Sequence, residues 1–92
     1  MEVTRLTKVT SEQVEAIFNS SDFETHIFFN KSVVVACKPP NGFVVIGVGS
    51  CVDPANFDLE KGVEVARKQI KNEIWELEGY LLQNELLLNT EI

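Results

Sequence analysis

The chain has 92 residues, of which 14 are acidic and 8 are basic, and its formal net charge is −6. This length supports one modest core, so we expect residues 1–92 to form a single domain. The acidic balance disfavours binding to duplex nucleic acid, whose phosphates attract basic proteins. The sequence contains no apolar run near the roughly 18 residues of a membrane span, and Met1–Arg5 lacks a signal-peptide pattern. These features together favour an intracellular protein.

The two cysteines, Cys37 and Cys51, are too few for a disulfide framework. The single histidine, His26, and the absence of a CxxC pair leave a zinc site short of ligands. We therefore predict no metal and no cofactor, and we interpret the cysteines as small apolar side chains of the core.

The first predicted element is a short helix that begins after Thr10 and ends near residues 19–21. Gln13 stands three positions after Thr10, which is a capping-box spacing. One face of this helix carries Val14, Ile17 and Phe18.

A β-rich middle follows, with predicted strands at Thr25–Phe29, Ser32–Lys38 and Phe43–Val52. Pro39–Gly42 is typical of a turn. If the loop consists of those four residues, Lys38 pairs with Phe43. The core side of the hairpin then carries Val33, Val35, Cys37, Val44, Ile46 and Val48. Gly47 and Gly49 fall on the opposite face, which we expect to accept a closely packed helix, a second subunit or a ligand.

From about Leu59 to Leu87 the sequence predicts one long amphipathic helix, with Asp58 as its N-cap. A single stripe along this helix carries Leu59, Val63, Ala66, Ile70, Ile74, Leu77 and Leu81. We expect this stripe to cover the sheet. The predicted fold class is α+β, with a short N-terminal helix, an antiparallel β-meander of two to three strands, and the long C-terminal helix packed on the sheet.

The opposite side of the long helix changes character halfway along. Its first half presents Lys61, Glu64, Lys68 and Lys71, with Arg67 nearby, and its second half presents Trp75, Gly79, Leu82 and Leu86. An apolar far side predicts burial against something else, either the N-terminal helix or a second copy of the chain. We favour a homo-oligomer, because one short helix cannot cover both the sheet edge and Trp75.

The sequence presents no set of catalytic residues. It lacks a nucleophile elbow, a phosphate loop and an HExxH motif. We therefore predict a non-catalytic protein. The residue types that remain for binding a small anionic ligand are basic, aromatic and polar side chains: Arg67, Lys68, Lys71, Trp75, Tyr80, Asn41, Ser50 and Asn56.

The segment from Asn41 to Leu82 carries the pattern NGF…SCVDPANFD…IW-LEGYLL. By this pattern, the stretch from about Cys37 to Leu86 resembles a family of small tailed-bacteriophage proteins. Several members carry Glu-Ser-Ala-Cys before the valine, where this chain has Gly47-Val48-Gly49-Ser50-Cys51, so no role of that glutamate transfers. The resemblance implies a phage gene product that acts in the host cytoplasm, and it implies no mechanism.

Two hypotheses follow for the function. In the first, an oligomeric, non-catalytic protein counteracts host defence by sequestering a small anionic ligand such as a cyclic nucleotide immune signal. In the second, the protein is an inhibitor of a host defence or replication protein, or a nucleic-acid mimic, and uses the acidic half of the long helix. That half carries Glu73, Glu76, Glu78 and Glu85. By analogy, small phage accessory proteins serve either role.

Overall fold

A computed structural model describes residues 8–90 of the chain, so Met1–Arg5 lies outside the described residues. The elements in chain order are α1 (Ser11–Asn19), β1 (Asp22–Phe28), β2 (Ser32–Lys38), β3 (Val45–Ser50), a short 3-10 helix (Pro54–Asn56) and α2 (Leu59–Thr90). The strands form one antiparallel sheet in the order β1-β2-β3. Helix α2 packs over β3 and β2 and also contacts α1. The predicted α+β fold is confirmed.

Both helix starts follow the predicted capping. Thr10 accepts a hydrogen bond from the backbone N–H of Gln13 at 3.2 Å, and Asp58 accepts one from the backbone N–H of Lys61 at 3.3 Å. Each side chain satisfies an N–H group that has no partner within the first turn. Gln13 does not return the bond to Thr10: its side-chain oxygen is buried without a hydrogen-bond partner among the described residues, while its side-chain nitrogen donates to Glu78 of α2 at 2.9 Å.

The β2–β3 register differs by one residue from the predicted one. Cys37 pairs with Val45, so the predicted pairing of Lys38 with Phe43 is wrong. The β-turn at Pro39–Gly42 does form, with the N–H of Gly42 donating to the carbonyl of Pro39 at 2.9 Å. Phe43 and Val44 stay in the loop and do not join the strand.

This shift exchanges the two faces of β3, because successive side chains of a strand point to opposite sides. Val45 is buried in the core, whereas Val44, Ile46 and Val48 are exposed. The core consists of Val14, Phe18, Val33, Val35, Cys37, Val45, Ala66, Ile70 and Ile74. The predicted core position of Val44, Ile46 and Val48 is therefore wrong, and the sheet face turned away from α2 carries exposed apolar side chains.

The glycines of β3 face α2 and let the helix backbone approach the sheet. A Cβ on Gly47 would collide with the carbonyl oxygen of Ala66, and a Cβ on Gly49 would collide with that of Gly62. The expectation that the glycine face accepts a closely packed helix is confirmed, although that face is the core face. Since Gly47 lies against Ala66 and Gly49 against Gly62, α2 runs antiparallel to β3.

The outer edge of the sheet is capped by a side chain of α2. Gln69 accepts a hydrogen bond from the N–H of Val48 at 2.9 Å and donates one to its carbonyl at 3.0 Å. Its carboxamide thus takes the place of one residue of a neighbouring strand. Such a cap protects an edge that would otherwise be able to pair with another chain.

The first strand begins earlier than predicted, at Asp22. Phe23 pairs with Cys37 and so shares the helix side of the sheet. The β1–β2 turn contains Phe29 and Asn30, both with positive φ, of 54° and 53°, and Phe29 replaces the asparagine or glycine that such turns favour.

Candidate functional site

Seven of the eight predicted ligand-binding residues line three separate grooves. Arg67, Lys68 and Lys71 line one groove, Asn41 and Tyr80 line a second, and Ser50 and Asn56 line a third, together with Cys51. Trp75 is not among the lining residues of these grooves. The structure therefore brings the basic residues together but does not unite them with the predicted aromatic and polar ones.

The groove beside the end of α1 and the first half of α2 is named here the basic groove. Its lining comprises Phe18, Asn19, Leu59, Glu60, Val63, Glu64, Arg67, Lys68 and Lys71, around a volume of about 740 Å³. This volume lies in the range of small-molecule sites. The lining offers three cationic groups and an apolar floor, together with two carboxylates.

Aromatic rings hold two of the three cations in place. The guanidinium carbon of Arg67 lies 5.2 Å from the ring centre of Phe18 and 5.8 Å from that of Phe23. The ammonium nitrogen of Lys71 lies 4.7 Å from the ring centre of Phe18. Cation–π contact restrains a cation without using up its N–H donors, so the guanidinium of Arg67 remains able to donate to an anion.

The three cations differ in their carboxylate partners. Lys71 forms an ion pair with Glu15 of α1 at 2.9 Å, in which both side chains are partly exposed. Among residues 8–90, no ion pair is formed by Arg67 or Lys68. An exposed ion pair contributes little free energy, so a ligand carrying several negative charges is able to compete with Glu15 for Lys71.

Phe18 and Phe23 are the residues of this groove that the sequence analysis did not assign to a site. Phe18 was placed on the apolar face of the first helix, and it is buried. Phe23 fell before the predicted first strand. The alternation of Phe23, Thr25 and Ile27 is a strand pattern that predicts Phe23 on the helix side of the sheet. The two rings lie 4.9 Å apart.

The second groove, named here the terminal groove, lies between the β2–β3 loop and the second half of α2. It has a volume of about 410 Å³ and is lined by Ile17, Pro39, Pro40, Asn41, Phe43, Val45, Ile74, Leu77, Glu78, Tyr80 and Leu81. The Asn41 side chain accepts a hydrogen bond from the N–H of Phe43 at 3.0 Å, which orders the loop. The lining is mostly apolar and suits a hydrophobic occupant better than an anion.

The third groove has a volume of about 210 Å³ and surrounds the connector between β3 and α2. The Ser50 hydroxyl is hydrogen-bonded to that of Ser32 at 2.7 Å, and the backbone N–H of Asn56 donates to the carbonyl of Asp53 at 2.9 Å. The thiol of Cys51 donates to the same carbonyl at 3.2 Å. These contacts are those of a structural turn.

The predicted interface face of α2 is partly occupied by α1. Lys71 and Glu78, which lie one turn on either side of Trp75, contact Glu15 and Gln13 of α1. Trp75 nevertheless keeps 39% of its surface exposed. Gly79, Leu82 and Leu86 are each half-buried, and a subunit interface on this face stays a prediction.

Two further observations concern residues 8–90. No helix in this part of the chain is long and apolar enough to cross a membrane. The same residues contain no group of three or more histidine, cysteine, aspartate or glutamate side chains placed to hold a metal ion.

Comparison with known proteins identifies one family. A model of the phage protein (N4 Gp49/phage Sf6 gene 66) family matches residues 9–86, which extends the resemblance seen in the sequence back through β1 and α1. Neither the curated proteins nor the solved structures that were compared gave a match. Because the family model spans well over half of the 92 residues, the chain belongs to the N4 Gp49/phage Sf6 gene 66 family of phage proteins.

Proposed function

We propose that this phage protein is a non-catalytic binding protein that sequesters a small anionic ligand, such as a cyclic nucleotide immune signal, in the basic groove. The observation that carries the proposal is the convergence of Arg67, Lys68 and Lys71 on a groove of nucleotide size. In this proposal the protein acts in the host cytoplasm and counteracts a nucleotide-signalled defence. It also works as a homo-oligomer.

The chemistry of the groove supports a phosphate ligand with an attached ring system. Arginine binds phosphate through paired N–H donors, and lysine binds it as a point charge. The guanidinium of Arg67 is already positioned by two phenylalanine rings, so little of its side-chain entropy is lost on binding. The apolar side chains of Leu59 and Val63 offer a surface for a base or sugar.

The charge balance limits which anions the groove retains. Glu60 and Glu64 share the lining with the three cations, and the whole chain carries −6. A single phosphate therefore gains little local attraction. A ligand with two or more phosphates gains more, because each added charge pairs with another of the cations at short range. We accordingly expect selectivity for cyclic oligonucleotides over cyclic mononucleotides.

Isothermal titration calorimetry with cyclic mono-, di- and trinucleotides and their linear counterparts tests this proposal. We expect measurable heat with at least one cyclic oligonucleotide, and a loss of affinity of tenfold or more in Lys68→Ala. The matched control is Lys61→Ala, on the same helix but outside the basic groove, which should bind as the wild type does. The absence of binding across the panel, or an equal loss in both variants, contradicts the proposal.

A second candidate function is inhibition of a host protein, and it is favoured by a different surface. The sheet face turned away from α2 exposes Phe28, Ile46 and Val48, with Ile46 54% exposed. An apolar patch of this kind is a common protein-binding surface. The acidic second half of α2 offers a further contact for a basic partner or a nucleic-acid-binding protein.

Affinity capture from host lysate separates the two candidates. An inhibitor should enrich one host protein, and Ile46→Asp should abolish that enrichment while leaving ligand binding unchanged. If sequestration is the function, Lys68→Ala should weaken ligand binding and leave the set of captured host proteins unchanged. A partner captured equally by the wild type, Ile46→Asp and a Trp75→Ala control speaks against inhibition through this surface.

A further inference from the structure

The apolar stripe of α2 continues beyond the sheet that covers its first half. Ile70 and Ile74 are fully or almost fully buried, whereas Leu81 is 51% and Leu88 is 63% exposed. At about 100° per residue, Leu77, Asn84 and Leu88 fall on the same face as Ile70 and Ile74. The four residues Leu77, Leu81, Asn84 and Leu88 are named here the distal seam.

Helix α2 extends beyond the sheet because it is much longer than the strand on which it packs. Helix α2 has 32 residues and β3 has six, so the helix is about 48 Å long and the strand about 20 Å. The molecule is correspondingly elongated, with a long axis of 58 Å and shorter axes of 21 and 19 Å. A radius of gyration of 16.8 Å exceeds the value of about 12 Å expected for a compact domain of this length.

The terminal groove lies where the distal seam leaves the sheet. Pro40 and Phe43 of the β2–β3 loop form one wall, and Leu77 and Leu81 of the seam form the other. Tyr80 stands at its side with 70% of its surface exposed. The same chain therefore presents an apolar groove and, about two turns further along the same helix face, the side chain of Leu88, which is able to fill such a groove.

We propose that a second copy of this chain occupies the terminal groove, with the two distal seams packed antiparallel around a twofold axis near residues 82 and 83. The spacing of the seam is self-complementary in this arrangement. Leu77 lies opposite Leu88 of the second copy, and Leu81 lies opposite Asn84 of the second copy. Each helix end then fills the groove of the other molecule.

Three properties of the seam favour a copy of the chain over an unrelated occupant. Spacings of four and three residues are those of a coiled-coil seam, in which leucine knobs enter holes of an identical helix. Asn84, close to the twofold axis, is the one polar residue of the seam, and a single polar residue in an apolar seam restricts the register of the pair. Glu76, Glu78 and Glu85 point about 70° or more away from the seam centre, so no carboxylate enters the contact.

The exposed apolar side chains of this region supply over half of the area that a standard interface needs. Phe43, Leu77, Tyr80, Leu81 and Leu88 are all exposed. Together they offer on the order of 500 Å² per copy, against roughly 800 Å² that each partner buries in a standard interface. Loop and helix backbone at the groove supply more. The acidic rims repel one another at low ionic strength, so added salt should tighten the pair by screening them.

Native mass spectrometry and light scattering of the full chain test the proposal. We expect the wild type to be a dimer or a larger assembly with an even number of subunits. Leu81→Asp should lower the mass of the assembly and leave the circular dichroism spectrum unchanged. The control is Gln83→Asp, which adds the same charge to the same helix outside the seam and should keep the wild-type mass. A monomeric wild type, or an assembly that survives Leu81→Asp and is lost in Trp75→Asp, overturns the proposal.

Cysteine cross-linking in a Cys51→Ser background tests the antiparallel pairing itself. Mixing Leu77→Cys protein with Leu88→Cys protein should give a disulfide-linked dimer within minutes of mild oxidation, while neither variant cross-links alone. Cross-linking of each variant with itself indicates parallel seams and contradicts the model. The proposal rests on the homo-oligomer of the proposed function and adds its interface. The two fail separately, because Lys68→Ala should lower nucleotide affinity tenfold or more without changing the mass.

Discussion

Gly49 of β3 lies directly against the backbone of Gly62 in α2, and a Cβ on Gly49 would collide with the carbonyl oxygen of Gly62. This contact sets the distance between the long helix and the sheet. We predict that Gly49→Ala lowers the free energy of unfolding by at least about 2 kcal/mol, because neither backbone is free to move aside in a packed core. Urea unfolding followed by circular dichroism measures the change. Wild-type stability in Gly49→Ala would show that the helix docks elsewhere.

Gly79→Ala is the matched substitution in the same helix, with the opposite expected sign. Among residues 8–90, no atom from outside the adjoining helix backbone lies within 4 Å of a Cβ placed on Gly79. Alanine is favoured over glycine in a helix interior by about 1 kcal/mol, so we predict a gain of that order in the free energy of unfolding. The same urea series measures it. A loss of stability, or of subunit association, would mean that a neighbouring backbone lies close to Gly79.

Gln69→Ala should expose the outer edge of β3. The variant loses both hydrogen bonds to Val48, which we expect to cost about 1 kcal/mol of stability. It should also raise the rate of aggregation, since the freed N–H and carbonyl groups are able to pair with another strand. Unfolding curves and light scattering over time report the two effects. Gln83→Ala, also on an exposed position of α2, is the control and should change neither.

Trp75→Asp should leave the fold intact. Because Trp75 is 39% exposed, the substitution removes only part of a buried surface, and we predict a loss of about 1–2 kcal/mol with unchanged circular dichroism. Thermal unfolding of the variant at several protein concentrations checks this. An unfolded variant would instead identify Trp75 as internal core sealed by α1.

Much of the architecture was predictable from local patterns. The turn at Pro39–Gly42, the cap at Asp58 and the start of α2 at Leu59 follow from residue types that stabilise those structures through their own backbone neighbours. The clustering of Arg67, Lys68 and Lys71 also follows from helical spacing alone. These features depend on contacts within a few residues along the chain.

The register of β3 was not predictable in the same way. Apolar residues occupy both faces of this strand, so the pattern of Val44, Val45 and Ile46 fits either register. Helix α2 decides between them, because only the glycine face of β3 admits its backbone. A register that turned Ile46 toward the helix would place a branched side chain in the position that the helix backbone occupies.

The candidate site was likewise predictable only in part. The sequence alone indicated which side chains carry charge and which helix presents them, since both depend on residue type and on the 3.6-residue period. It gave no means of knowing that Phe18 and Phe23 support Arg67, or that Asn41, Ser50 and Trp75 lie away from the basic groove. Those distances join residues far apart in the chain.

The long helix has features of both kinds, some determined by the sequence and some decided by the tertiary structure. The sequence determined its apolar stripe from Leu59 to Leu81, because apolar periodicity indicates which side of a helix can be buried. The sheet buries the middle of that stripe, at Ala66, Ile70 and Ile74, so the prediction that the whole stripe covers the sheet is wrong at the exposed Leu59, Leu77 and Leu81. How far the sheet extends beneath that stripe was decided by the tertiary structure, through the register of β3 and the length of its loop. The uncovered distal seam is a consequence of that mismatch in length, which local patterns do not encode.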